Sequence, residues 1–227
     1  MYAPTARAVV SRSVGSVVDL LVEGFRYTRD NPRILLVIVV VGAVSTFAMN
    51  YSVLMPVVAR DVLHGDAGTY GFLMSAAGLG SLVSALSIAF RRTASMGRLF
   101  VGAALVGLGM VGVGISRWLP LSLLMMFVAG WGGISMAATA NTTIQLAVPD
   151  VLRGRVVSLY TTVFVGSTPI GGLFSGIIAS GFGGAPAALI VGGSLAALAA
   201  VGGYLRVPDR SHLGSLAAVR HRPARDR

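Results

Sequence analysis

The chain has 227 residues, of which 55% are hydrophobic and only 11% charged, and its mean hydropathy is +0.80. Those values exclude an ordinary soluble domain. With no cysteine there are no disulfides, thiolate nucleophiles or sulfur-ligated metals, and the net charge of +10 has to be read from its distribution before a partner is inferred.

The first 33 residues form a polar segment. Val14, Val17, Val18, Leu21, Val22 and Phe25 recur on one face of an α-helix, with Ser16, Asp19, Glu23 and Arg26 filling the rest. Such a helix is too polar to span a bilayer and suits the headgroup level of the membrane surface. It serves as an interfacial connector, and Asn31-Pro32 ends it.

Six apolar runs follow, over residues 34–58, 70–90, 99–115, 119–144, 156–180 and 185–205. Most match the ~20 residues a helix needs to cross a hydrocarbon core about 30 Å thick. No Asp, Glu, Lys or Arg lies in the interior of any run. They lack the alternation of a membrane barrel, so backbone hydrogen bonding in lipid requires helices. The predicted fold is an all-α membrane protein: a six-helix transmembrane domain over residues 34–206, then a basic, disordered tail over 207–227.

All eighteen basic residues are arginine, which implies a GC-rich, bacterial genome. Sixteen lie in the N-terminal segment, the second-to-third and fourth-to-fifth connections and the tail, leaving only Arg60 and Arg117 on the other side. The positive-inside rule therefore places both termini in the cytoplasm, with the chain multi-pass in the bacterial plasma membrane. The charge reflects topology and contact with membrane lipid, not nucleic acid.

Polar side chains concentrate in spans one, two, four and five, while Ser194 is the only one well inside spans three and six. Polar groups in lipid face a protein interface or a watery cavity, so four spans should face inward and spans three and six should face lipid. Two polar spans and one plain one, twice over, is the order of a 3+3 inverted repeat. An echo accompanies it, with Asp61-Val62-Leu63-His64-Gly65 after the first span and Asp150-Val151-Leu152-Arg153-Gly154 after the fourth.

Two blocks carry a resemblance. One is Pro56-x-x-Ala59-Arg60-Asp61-Val62-Leu63-His64-Gly65, continuing to Tyr70-Gly71-x-Leu73-x-Ser75-Ala76-x-Gly78-x-Gly80. The other is Asn141-Thr142-x-Ile144-Gln145-x-x-Val148-Pro149-Asp150-x-x-Arg153-Gly154-Arg155-Val156-x-Ser158-Leu159-Tyr160, extended by Pro169-x-Gly171-Gly172-x-x-x-Gly176. The chain resembles the C-terminal six-helix half of major facilitator superfamily transporters, in the branch of the enterobactin exporter and macrolide-efflux-like proteins. Its opening residues resemble the connector between halves. Members have twelve helices, so the resemblance implies an N-terminal half-transporter, or a second copy in a homodimer, as partner.

The resemblance also implies alternating-access export of a small amphipathic molecule, such as a siderophore or drug, driven by protons. Substrate-cavity candidates are Asn50, Tyr51, Asn141, Thr142, Gln145 and Thr162, whose amides and hydroxyls either bind substrate or tie helices together. Asn141 and Gln145, near the water, suit helix tying or gate closure. Arg91, Arg92, Asp150, Arg153 and Arg155 are cytoplasmic gate candidates, with topological charge as the plainer reading of the first two. Pro169, with Gly171 and Gly172, marks a candidate hinge. His64, His212 and His221 all fall in loops or the tail. No catalytic dyad, metal site or cofactor is therefore expected, and the chain reads as a transporter, not an enzyme. The alternative is a truncated, non-transporting membrane protein or scaffold subunit.

Overall fold

The computed structural model describes residues 14–90 and 95–207. Arg91, Arg92 and the tail from residue 208 lie outside the described residues. Among those described there are eight α-helices and no strand. α1 (Val14–Asp30) precedes the bundle, and α2 (Pro32–Phe47), α3 (Tyr51–Val57) and a π-helical turn (Val58–Val62) together make the first span. α4 (Ala67–Phe90), α5 (Met96–Ile115), α6 (Leu119–Ala147), α7 (Asp150–Gly181) and α8 (Gly184–Leu205) are spans two to six. All six are long and apolar enough to cross a membrane.

Lipid tails are as apolar as leucine, so packing in a bilayer depends on backbones that approach closely. Glycine pairs provide that approach at three crossings. Where spans two and four cross, a methyl group on Gly80 would strike the Phe127 carbonyl, and one on Gly130 the Ala77 carbonyl. Spans three and four meet at Gly102 and Gly132, where an added Cβ would lie 2.7 Å from Gly132 O and 2.5 Å from Gly102 O, respectively. Spans three and six meet in the same way at Gly107 and Gly193.

Span three is therefore the keystone and not a lipid-facing spectator. It is the most enclosed of the six, with 56% of its central window buried, against 28% for span two and 17% for span five. Its lack of polar groups comes with Gly102, Gly107, Gly109, Gly112 and Gly114, so a sequence bare of hydroxyls is rich in the residue that lets helices touch.

α1 docks against the start of span five through its small residues. A methyl on Gly24 would come within 3.1 Å of the Arg155 carbonyl, and Thr28 is buried beside it. Val22 and Phe25, from the apolar stripe of this helix, remain exposed at 52% and 56%. These two side chains point away from the bundle, as a face destined for the membrane surface would.

The link from span one to span two is short. His64 sits in the left-handed region at φ 51°, and Gly65 N–H donates back to Ala59 O at 2.9 Å. Asp66 Oδ1 accepts from the Thr69 backbone N–H at 3.0 Å and caps the second span. That hydrogen bond, first among several causes, holds the Asp66 carboxyl below its ordinary value.

Candidate functional site

The first span is broken. α2 stops at Phe47, residues 48–50 form a turn, and α3 begins at Tyr51. A break in lipid strands carbonyls that must find donors. Asn50, only 3% exposed, supplies one: its Nδ2 donates to Ser45 O at 3.3 Å and to Thr46 O at 3.2 Å. Neighbouring spans close on the break with glycines. A methyl on Gly171 of span five would collide with Asn50 Nδ2 and Thr46 O, and one on Gly192 of span six with Phe47 O.

Beside the break lies a cavity of about 130 Å³. Met49 and Tyr51 of span one, Ser81 of span two, Ile134 and Ala137 of span four and Phe164 of span five surround it, with Val106 of span three at its floor. Ser81 Oγ is already committed to Gly130 O at 3.2 Å. The half-buried Tyr51 phenol has no hydrogen-bond partner among the described residues. Phe164 stacks on Tyr160 with ring centroids 6.0 Å apart, and Tyr160 Oη donates to Ala137 O at 3.4 Å, tying span five to span four. The walls are thus aromatic, aliphatic and thioether, with one free hydroxyl. Such a surface suits an apolar ring and offers one polar contact to orient it. At about 130 Å³ it is smaller than the roughly 300–1,000 Å³ of complete small-molecule sites.

Of the residues expected to line a cavity, the structure brings only Tyr51 to this one. Asn50 lies behind it, engaged with backbone. Asn141 and Gln145 bond each other, Nε2 to Oδ1, at 3.1 Å near the far end of span four, and Thr142 donates to Ala138 O at 2.9 Å. Thr162 is exposed on span five, away from the cavity. Pro169 is exposed within α7, which runs unbroken from Asp150 to Gly181, while Gly171 packs on the break in span one. Among the gate candidates, Arg153 pairs with Asp150 one turn away, and Arg155 pairs with Glu23 of α1.

Sequence reasoning did not identify Met49, Ile134, Ala137 and Phe164 as a site, because each looks like ordinary apolar filling. The break itself had a signal: an Asn inside an apolar span, preceded by Ser45 and Thr46, places three groups able to satisfy backbone where the helix stops.

A six-span helical bundle with an interrupted first helix and a mid-span apolar cavity defines a polytopic membrane transport protein. A profile of the transmembrane secretion effector family matches residues 5–224, and the chain belongs to that family of major facilitator-type transporters. Neither a search of curated proteins nor one of solved structures returns a match.

Proposed function

We propose that this chain is the C-terminal half of a secondary exporter that moves small amphipathic compounds by rocking against a second six-helix body. The carrying observation is the pair of unfilled faces on spans two and five. On span two, Gly71, Ser75, Gly78, Leu82, Ala85 and Ala89 make one exposed stripe of mostly small residues, and Phe72, Leu79, Val83, Leu86 and Phe90 make a bulky one next to it. Span five repeats the arrangement, with Gly154, Ser158, Thr161, Val165 and Thr168 exposed and Gly172 half-buried, beside Ile170, Leu173 and Ile177. Bulky apolar stripes suit lipid. Small residues with hydroxyls suit the close approach of another helix.

The glycines sharpen this reading. Gly80, Gly102, Gly107, Gly130, Gly132 and Gly193 are each explained by a backbone against them, whereas Gly71, Gly78, Gly166, Gly172 and Gly176 have nothing within 4 Å of an added methyl. A glycine inside a helix costs about 1 kcal/mol relative to alanine. An approaching partner helix accounts for accepting that cost on a face where the chain itself puts nothing. The same partner completes the undersized cavity at Tyr51. Both termini lie in the cytoplasm on this reading, and Arg155 with Glu23 sits at the cytoplasmic gate.

The chain has no cysteine, so single cysteines can be introduced at will. Ser75→Cys and Thr161→Cys should crosslink to the complementary half in native membranes, while Leu79→Cys and Leu173→Cys should not. Equal crosslinking from both stripes would remove the basis for the proposal. Because the interiors of the six spans hold no carboxylate, Asp61 and Asp150 lying at span ends, the coupling group belongs to the other half. Vesicles containing this chain alone should show no proton-driven uptake.

A further inference from the structure

A second cavity, of about 210 Å³, lies between spans two, three and four, lined by Ser84, Ser87, Ile88, Arg98, Trp131 and Ser135. It shares no lining residue with the cavity at Tyr51. Ser84 and Ser135 are fully buried, and their hydroxyl oxygens have no hydrogen-bond partner. This sets them apart from their neighbours. Ser87, Thr142, Thr143 and Thr161 each donate to the carbonyl four residues back, a bond open to any helical serine. Ser84 and Ser135 forgo it.

The side chain of Arg98, a half-buried residue at the arginine-rich end of span three, has no ion pair or hydrogen bond among the described residues. No Asp or Glu lines the cavity. Unpartnered hydroxyls and a guanidinium in a low-dielectric setting are costly unless something else satisfies them. The lining can offer a guanidinium fork and the indole N–H of Trp131, which only donate, and serine hydroxyls, which donate or accept. With a guanidinium present and no carboxylate to balance it, these groups suit a ligand that accepts hydrogen bonds and carries negative charge. Position agrees, because Arg98 lies within the first turn of its helix, at the end of a membrane-spanning segment, where headgroups are expected.

We propose that this cavity binds a phosphate oxyanion, carried by a membrane phospholipid or free in solution, with Arg98 supplying the charge and Ser84 and Ser135 the fixed hydrogen bonds. The site is independent of the transport reading above.

The test uses the full chain, purified and examined by native mass spectrometry with phosphatidylglycerol, phosphatidylcholine or inorganic phosphate as the probe. Wild type should retain phosphatidylglycerol over phosphatidylcholine if the source is lipid. If the source is soluble, inorganic phosphate should bind and displace any retained lipid. Arg98→Gln should weaken binding of the retained anion at least tenfold, which corresponds to about 1.4 kcal/mol, and Arg98→Lys should recover part of it. Arg117→Gln, which removes a charge from the opposite end, should change nothing.

The Ser84→Ala/Ser135→Ala double variant separates a binding role from a structural one. It should weaken binding severalfold while leaving thermal stability of the anion-free chain unchanged or higher, since no internal hydrogen bond is lost. The proposal is overturned if wild type binds neither anion, or if Arg98→Gln and the double variant both bind as wild type does.

Discussion

Spans three and six cross at a single glycine pair, and this gives a measurable contrast with glycines elsewhere in the same chain. In Gly107→Ala the new methyl would lie 2.5 Å from Gly193 O, 2.7 Å from Ala197 N and 3.0 Å from Ala197 Cβ. Ordinary van der Waals contact begins at 3.4 Å, so the helices must separate by up to about 0.9 Å, and a gap of that size forfeits a quarter to a half of each dispersion contact along the crossing. Overpacking of this kind costs about 1–3 kcal/mol, and the helix propensity gained from alanine returns up to about 1 kcal/mol. The expected net loss is about 1–2 kcal/mol.

Gly78→Ala places its methyl where nothing lies within 4 Å, so only the propensity term remains and the chain should gain about 0.5–1 kcal/mol. Both variants are compared by unfolding the purified chain in mixed micelles with rising SDS, following tryptophan emission from Trp118 and Trp131, the only two in the sequence. A Gly107→Ala chain as stable as wild type, or a Gly78→Ala chain as damaged as Gly107→Ala, would refute the assignment of glycines to these two roles.

Asn50→Ala removes the donor for two carbonyls at the break in span one and should cost about 1–3 kcal/mol in the same unfolding assay. His64→Gly relieves a left-handed side chain and should raise stability by about 0.5–1 kcal/mol, measured likewise. Asp66 titrates below its ordinary value because its charged form is hydrogen-bonded in the folded chain. The sign follows from linkage: its contribution is fully present above the unfolded carboxyl value and lost as pH falls through the lower folded one. Protection of the Thr69 amide, its exchange rate compared with the intrinsic rate at the same pH, should therefore fall on acidification in wild type, and in Asp66→Ala it should be low at every pH.

The number, length and helical state of the spans were legible because hydropathy is a property of each segment alone. Which helices touch is a property of pairs. Gly107 and Gly193 lie in different spans, and nothing in either segment names the other, so the central position of span three went unread and its lack of hydroxyls pointed the wrong way. Pro169 stands out in the sequence because proline removes a helical hydrogen bond by its covalent structure, and in the fold it lies inside the continuous α7. The observed interruption at residues 48–50 contains neither proline nor glycine. The close approach of Gly171 and Gly192, together with the Asn50 amide, accommodates it, and two of those three come from spans inserted much later in the chain. The cavity at Tyr51 was legible only through that residue, since Met49, Ile134 and Phe164 acquire meaning by meeting.

The glycine crossings also impose a schedule on synthesis. Spans two, three and four hold all the surfaces they need from one another through Gly80 with Gly130 and Gly102 with Gly132, so they can settle together once the fourth has left the translocon. The remaining flank of span three, and the Phe47 carbonyl in span one, stay uncovered until span six delivers Gly193 and Gly192. A ribosome stalled before residue 192 would leave an interrupted helix waiting in the bilayer, and quality-control proteases that scan for exposed backbone would find it there.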